Sequence, residues 1–275
     1  MKPASFSYAS CDTVQEAMKL LAEHGDDARV IAGGQSLMPM LNMRLVRPAL
    51  VVDIAAIAAL NYAKEESGFV EFGAALTQSG AETWPRLRET VPLLALAFPH
   101  IGHIQTRNRG TVCGSLCHAD PSSELPLCLA TLGGEVVLRS RRKTRTIKAG
   151  DFQIGLLSTA KEPDEIMIAA RYPRAQAGWG YAFREISRRH GDFAIVALAG
   201  AVGCGTIRLG VGGVADSPVV REWRNLDDKE LPDALNDFAW DLGGNDDIHA
   251  TARYRREMVR RIGSKVIQEA RQCAH

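Results

Sequence analysis

The segment Ile31-Ala32-Gly33-Gly34-Gln35-Ser36-Leu37 constrains the chain more than any other. A short apolar run, Arg29 to Ala32, stops at two glycines and a hydroxyl residue. A helical piece follows, with Pro39 in its first turn. That order of residue types predicts a strand, a tight turn and a helix capped by Ser36. Glycines let backbone N–H groups approach an anion closely, and the turn suits a diphosphate. A Gly-Gly turn is also ordinary architecture, so the segment alone leaves both readings open. Its surroundings repeat the pattern. Phe6 to Ala9 is extended, and Asp12 or Thr13 caps a helix whose Val14, Ala17, Met18 and Leu21 form one stripe ending before Gly25. Leu50 to Ile54 is a further strand. Residues 1–54 therefore read as one small α/β unit.

A second small, polar loop, Arg107 to Pro121, lies about eighty residues further on and contains Gly110 and Gly114. Two such loops can clamp a nucleotide from both sides, and Glu124 just beyond can accept hydrogen bonds from ribose hydroxyls. No phosphate-loop lysine stands between them, which points to a dinucleotide rather than ATP hydrolysis. Other glycine motifs fail on context. Gly210 to Ala215 satisfies G-x-G-x-x-A, but Asp216-Ser217-Pro218 follows where a helix is needed. Gly263-Ser264-Lys265 lies within a helical pattern. No G-x-S-x-G or H-E-x-x-H occurs, so hydrolase chemistry has no visible basis, and no residue must act as a general acid or base.

Charge and composition narrow the partners. Lys plus Arg is 33 and Asp plus Glu 32, a formal net charge of +1, which gives no reason to expect nucleic acid. The longest nearly apolar run, Phe193 to Gly203, is too short for a bilayer, which needs about 20 residues. Met1 to Phe6 lacks the apolar stretch of a secretory signal, so a cytoplasmic protein is expected. The six cysteines include no C-x-x-C. Cys113, Cys117 and His118, with Cys128 beyond, do not make a metal-ligand set, and the thiols are read as reduced.

Residues 55–176 continue the alternation, with a strand at Phe69 to Ala74, helices from Gln78 and over Thr90 to Pro99, and a hairpin of Glu135 to Arg139 with Thr146 to Lys148. Arg141, Arg142, Lys143 and Arg145 at its turn are either an anionic docking patch or a solvated turn protecting a sheet edge. From 177 to 275 strands precede helices. Gly180 to Ile186, Ala194 to Val202 and Thr206 to Val211 predict a three-stranded antiparallel sheet. The acidic stretch Asp227 to Asp247 reads as a helix and a loop. Asp246-Asp247 opens a last helix carrying Tyr254, Met258, Ile262 and Val266 on one face. The class is α+β: a two-part nucleotide-binding region, then a C-terminal sheet with helices.

Ala32 to Pro39 and Thr111 to Ser115 resemble the two FAD-diphosphate loops of the molybdenum hydroxylase flavoproteins, the medium subunits of carbon monoxide dehydrogenase-type enzymes and the flavin segment of xanthine dehydrogenase. The resemblance continues through His118-Ala119-Asp120-Pro121-Ser122-Ser123-Glu124 and Ser187 to Ala194, and ends in Tyr254-Arg255-Arg256. It implies a noncovalent FAD held by Ala32, Gly33, Gly34, Gln35, Ser36 and Leu37 on one side. Thr111, Cys113, Gly114, Ser115 and His118 hold it on the other. Glu124 matches an acidic position on the adenosine portion and Ile101 a position beside the cofactor. Met167 and Arg184 match a backbone contact and a cationic contact, and Phe193 an aromatic position near the isoalloxazine. Relatives have glycine where this chain has Cys113. A positive φ there would carry a steric cost, whereas a negative φ would let the thiol point away.

The resemblance further implies an electron-transfer subunit of a heterotrimer, with likeness to assemblies that pair two such trimers. A large subunit would carry molybdopterin and a small subunit two [2Fe–2S] clusters. Two other readings are a self-sufficient flavin oxidase or dehydrogenase, and a non-enzymatic interaction module whose glycine loops are only turns.

Overall fold

The computed structural model describes residues 2–274. Three strands, β1 (Ser7–Ser10), β2 (Ala28–Ile31) and β3 (Leu50–Asp53), form a parallel sheet in the order β1-β3-β2. Helix α1 (Val14–His24) makes the first crossover. Thr13 and Glu16 close a reciprocal capping box at its start, and Gly25 with φ +49° ends it. Its buried stripe is the expected Val14, Ala17, Met18 and Leu21. Helix α2 (Leu37–Asn42) follows the glycine turn, but Ser36 makes no side-chain cap. The Ser36 backbone is already helical there, which leaves its hydroxyl free.

The second sheet is antiparallel, in the order β4 (Ala63–Glu65), β5 (Phe69–Gly73), β10 (Ile166–Pro173), β6 (Glu135–Arg139), β7 (Thr144–Lys148). A two-stranded ribbon, β8 (Gln153–Gly155) with β9 (Ser158–Thr159), lies between β7 and β10 in sequence. Six helices fill the interval from β5 to β6 or cover these strands: α3 (Gln78–Glu82), α4 (Leu87–Thr90), α5 (Pro92–Ala97), α6 (Ile104–Arg107), α7 (Val112–His118) and α8 (Glu124–Leu132). The single helix expected over 90–99 is thus broken at Val91, whose backbone is not helical before Pro92. A short α9 (Ala149–Phe152) follows β7. The basic turn divides its roles. Arg142 is exposed, whereas Arg145 forks onto Glu165, whose side chain is 1% exposed.

The C-terminal sheet is four-stranded, not three: β11 (Trp179–Ile186), β12 (Val196–Gly203), β13 (Thr206–Gly212) and β14 (Val219–Arg224) in sequence order. All of β12 is buried, because α8 covers one face and α11 (Ala252–Gln272) the other. Side-chain alternation therefore sends successive residues into two different cores. Gly180 on β11 is required by close approach, since a Cβ there would run into the Ala270 carbonyl of α11. Helix α10 (Leu231–Asp241) packs on α11. The last helix does not open at Asp246-Asp247. Asp247 Oδ1 accepts from the N–H groups of His249 and Ala250, making a turn, and Thr251 caps α11 instead. No helix among the described residues is long and apolar enough to cross a membrane.

Candidate functional site

A cleft of about 700 Å³ runs between the first sheet, α7 and the loops before α6 and after β11. That volume is in the range of small-molecule and cofactor sites. Its floor is the meeting of the two glycine loops. A methyl group on Gly33 would overlap the Arg109 carbonyl and come within 2.6 Å of Gly110 Cα. The two segments are in backbone contact, which is possible only without a side chain at 33. Gly34 adopts φ +70°, a conformation that glycine takes without steric cost. The second loop is held from behind: Gln78 N–H donates to the Gly110 carbonyl at 2.7 Å, and Val112 N–H to the Leu76 carbonyl. Thr111 caps α7 by accepting from Gly114 N–H at 2.9 Å.

Of the residues singled out from the sequence, fifteen line this one cleft: Ala32, Gly33, Gly34, Gln35, Ser36, Leu37, Ile101, Thr111, Cys113, Gly114, Ser115, His118, Glu124, Met167 and Phe193. Among the described residues, no carbonyl or side chain accepts from the N–H groups of Gly34, Gln35 or Ser36. These donors suit an anionic oxygen. The Gln78 Oε1 atom, buried and without a partner, also faces the cleft. The residues present therefore fit a dinucleotide: a cradle that a Cβ would fill, unpaired backbone donors, and a carboxyl at one wall.

Arg184 is the exception. Its Nε donates to Glu269 Oε2 of α11 at 2.9 Å, and it does not line the cleft. The cause is strand alternation. Arg184 pairs across β12 with Leu198, in the core under α11, while the next residue, Glu185, pairs with Ala197 in the other core. The side chain that β11 turns toward the nucleotide side is Glu185.

Cys113 resolves the question raised by its Cβ. It lies inside α7, is absent from the positive-φ positions, and its thiol donates to the Phe72 carbonyl at 3.5 Å. Burial pushes this thiol well above its ordinary pKa, which keeps it protonated and unreactive.

Two charged groups were not foreseen. Lys161 lines the cleft and donates to the carbonyls of Glu162 and Glu165 at 2.9 and 3.2 Å, and burial lowers its pKa. Nothing in its local sequence separates it from a surface lysine. Glu124 is 8% exposed, and burial lifts its carboxyl to about 7. Burial and the Glu124 carboxyl together lift Glu185 to about 8. Burial also lowers His118, against the opposing pull of Asp120. Around the far end, Arg107 is tied to Glu82 at 2.8 Å and to the Ile101 carbonyl at 2.9 Å, which fixes the loop that packs against Gly191. Phe193 stands at the mouth, 71% exposed.

Such a cleft defines a protein that grips a long anionic ligand between two glycine turns. Residues 4–175 match the FAD binding domain in molybdopterin dehydrogenase, and the chain belongs to that family. It is 35% identical over 282 residues to the nicotine 6-hydroxylase medium subunit of Paenarthrobacter nicotinovorans, covering 98% of this chain and 99% of that one. It is 40% identical over 204 residues to caffeine dehydrogenase subunit beta of Pseudomonas sp. (strain CBB1), covering 74% and 69%. Among solved structures it superposes on carbon monoxide dehydrogenase from Hydrogenophaga pseudoflava with TM-score 0.94 at 28% identity, each chain covered fully. Quinoline 2-oxidoreductase from Pseudomonas putida 86 gives TM-score 0.92 at 32% identity, covering 100% and 99%. The chain is a subunit of an oxidoreductase, and FAD is its cofactor.

Proposed function

We propose that this chain is the electron-transfer subunit of a heterotrimeric molybdenum hydroxylase. It would take electrons from the [2Fe–2S] clusters of a small subunit and deliver them, through FAD, to an external acceptor. A molybdopterin-containing large subunit hydroxylates the organic substrate, two heterotrimers pair, and the assembly is cytoplasmic. The observation that carries the reading is the backbone contact of Gly33 with Arg109 and Gly110 at the floor of one cleft. The relatives are named as subunits or medium chains, which favours this reading over a self-sufficient flavin enzyme.

Bound FAD supplies the one- and two-electron redox chemistry, and the protein's part is to place and tune it. The N–H groups of Gly34, Gln35 and Ser36, with the Thr111 to Ser115 turn, would hold the diphosphate. Gly33 fixes the spacing of the two loops. Glu124 would accept from ribose hydroxyls, and the β10 backbone at Met167 would meet the adenine. A bulge between Met167 and Ala169 turns that stretch of β10 out of regular pairing. Ile101 and Phe193 would flank the isoalloxazine. The chain divides, in this reading, into 1–54 and 55–176, which share the cofactor, and 177–275, which backs them. Purification from the native host tests the proposal. The expected result is a yellow complex with two further subunits; a colourless chain that takes up no added FAD would refute it.

A further inference from the structure

Glu185 is a carboxyl that the redox role leaves unused. It sits on β11 with its Oε2 buried and reached by no donor among the described residues. Its register partner on β12, Ala197, belongs to the core beneath the cleft. Phe183, two residues earlier on the same face, packs on His100 at 5.2 Å. Across this face stands the first residue of α8, Glu124, whose carboxyl is within hydrogen-bond reach of Glu185 and lines the cleft.

The groups facing the pair are few. Asp120, in the turn before α8, adds a third anion, and the Ser187 hydroxyl reaches Glu185 from the loop after β11. Cys128, one turn along α8, feels Glu124, and His118 at the end of α7 is coupled to Asp120. Among the described residues no cation acts on either carboxyl. Two acids in contact, buried and without a cation, cannot both ionise, so a proton is retained between them.

We propose that Glu185 is a positioning residue for the cofactor: its carboxylic acid donates to the Glu124 carboxylate and aims that carboxylate into the cleft at the adenosine hydroxyls. This inference rests on the FAD reading above and assigns Glu185 a role no charge or motif suggested. Loss of the shared proton at alkaline pH sets two anions against each other beside an anionic ligand. Glu124 then loses its aim, and FAD loosens.

The test is FAD titration of the flavin-free full-length chain, followed by flavin fluorescence between about pH 6 and 9. The dissociation constant of the unmodified chain is expected to be flat on the acid side. Above the last ionisation of the pair it should rise toward about tenfold per pH unit, the slope of one lost proton. Glu185→Gln keeps a donor and cannot ionise, so its affinity should stay within about twofold across the range. Glu124→Gln, a second way to dissolve the pair, should bind more weakly but with an equally flat profile. A flat profile in the unmodified chain overturns the proposal, as does an unaltered slope in both variants. Neither outcome touches the FAD assignment. Failure of the unmodified chain to bind FAD at any pH overturns that assignment and this inference with it.

Discussion

Gly33 and Arg109 touch through their backbones: the α-carbon of one has no room for a substituent because the carbonyl of the other occupies the space. The two residues belong to different sheets' connections, so this contact docks the first sheet on the rest and shapes the cleft floor at once.

Gly33→Ala should therefore separate the loops. Overpacking against backbone cannot relax by a rotamer change, and a cost of about 1–3 kcal/mol is expected. FAD affinity should fall at least about tenfold, since 1.4 kcal/mol is one decade. Flavin-to-protein absorbance and a denaturant midpoint measure both effects, and an alanine variant with full flavin content would contradict the contact.

Arg184→Ala should leave FAD affinity within about twofold, because the guanidinium forks onto Glu269 on the opposite face of β11. The exposed ion pair itself contributes roughly 0–1 kcal/mol. A large loss of flavin on this substitution would show that the arginine leaves Glu269 for the cleft.

The Arg145–Glu165 pair should make stability acid-sensitive. Burial alone would raise the Glu165 carboxyl. Two Arg145 bonds at 2.7 Å and the Glu162 N–H at 2.9 Å outweigh it and hold the group below its ordinary value. A depressed folded-state pKa contributes stability above the unfolded value, about 4.3, and that contribution is lost as pH falls toward the folded value. Arg145→Met should cost about 2 kcal/mol at neutral pH, between exposed and fully buried pairs. That deficit should shrink on acidification, as the stranded carboxylate takes up a proton. Urea midpoints at about pH 7 and 4.5 decide it; a pH-independent deficit would not fit.

Arg255 should be the most sensitive position of α11. Its side chain is 6% exposed, and Nη1 donates to the carbonyls of Ile195 and Gly213 while Nη2 meets Asp247. Gly213 N–H in turn donates to the Pro121 carbonyl at 2.8 Å, so the guanidinium braces the turn that leads into Glu124. Arg255→Met strands two carbonyls and a carboxylate, and a loss of about 3 kcal/mol is expected. Arg255→Lys should recover little, because one ammonium cannot replace the planar fork. Equal stability of both variants and the parent would disprove the bracing role.

What could be read from residue order was what depends on local chemistry. The Gly33-Gly34 turn, the Thr13 cap and the stripe of α1 follow from backbone freedom, hydroxyl geometry and a 3.6-residue period. β14 was illegible because Val219-Val220-Arg221-Glu222-Trp223-Arg224 is half charged, as an edge strand commonly is. The start of α11 was misplaced because aspartates close turns as readily as they cap helices. Arg184 and Glu185 show a different limit. Both are polar, so period-2 alternation gives no sign of which one faces inward, and only the partners on β12 decide. The meeting of Glu185 with Glu124 joins residues 61 positions apart through tertiary packing, which no spacing rule encodes.

The contact at Gly33 also has a diagnostic use. A pigment can lodge only after the amino-terminal sheet has seated itself on the second loop, so coloration reports correct docking as well as cofactor supply. A bleached preparation made with ample riboflavin would signal misassembly, and tint alone could rank variants by how faithfully they fold.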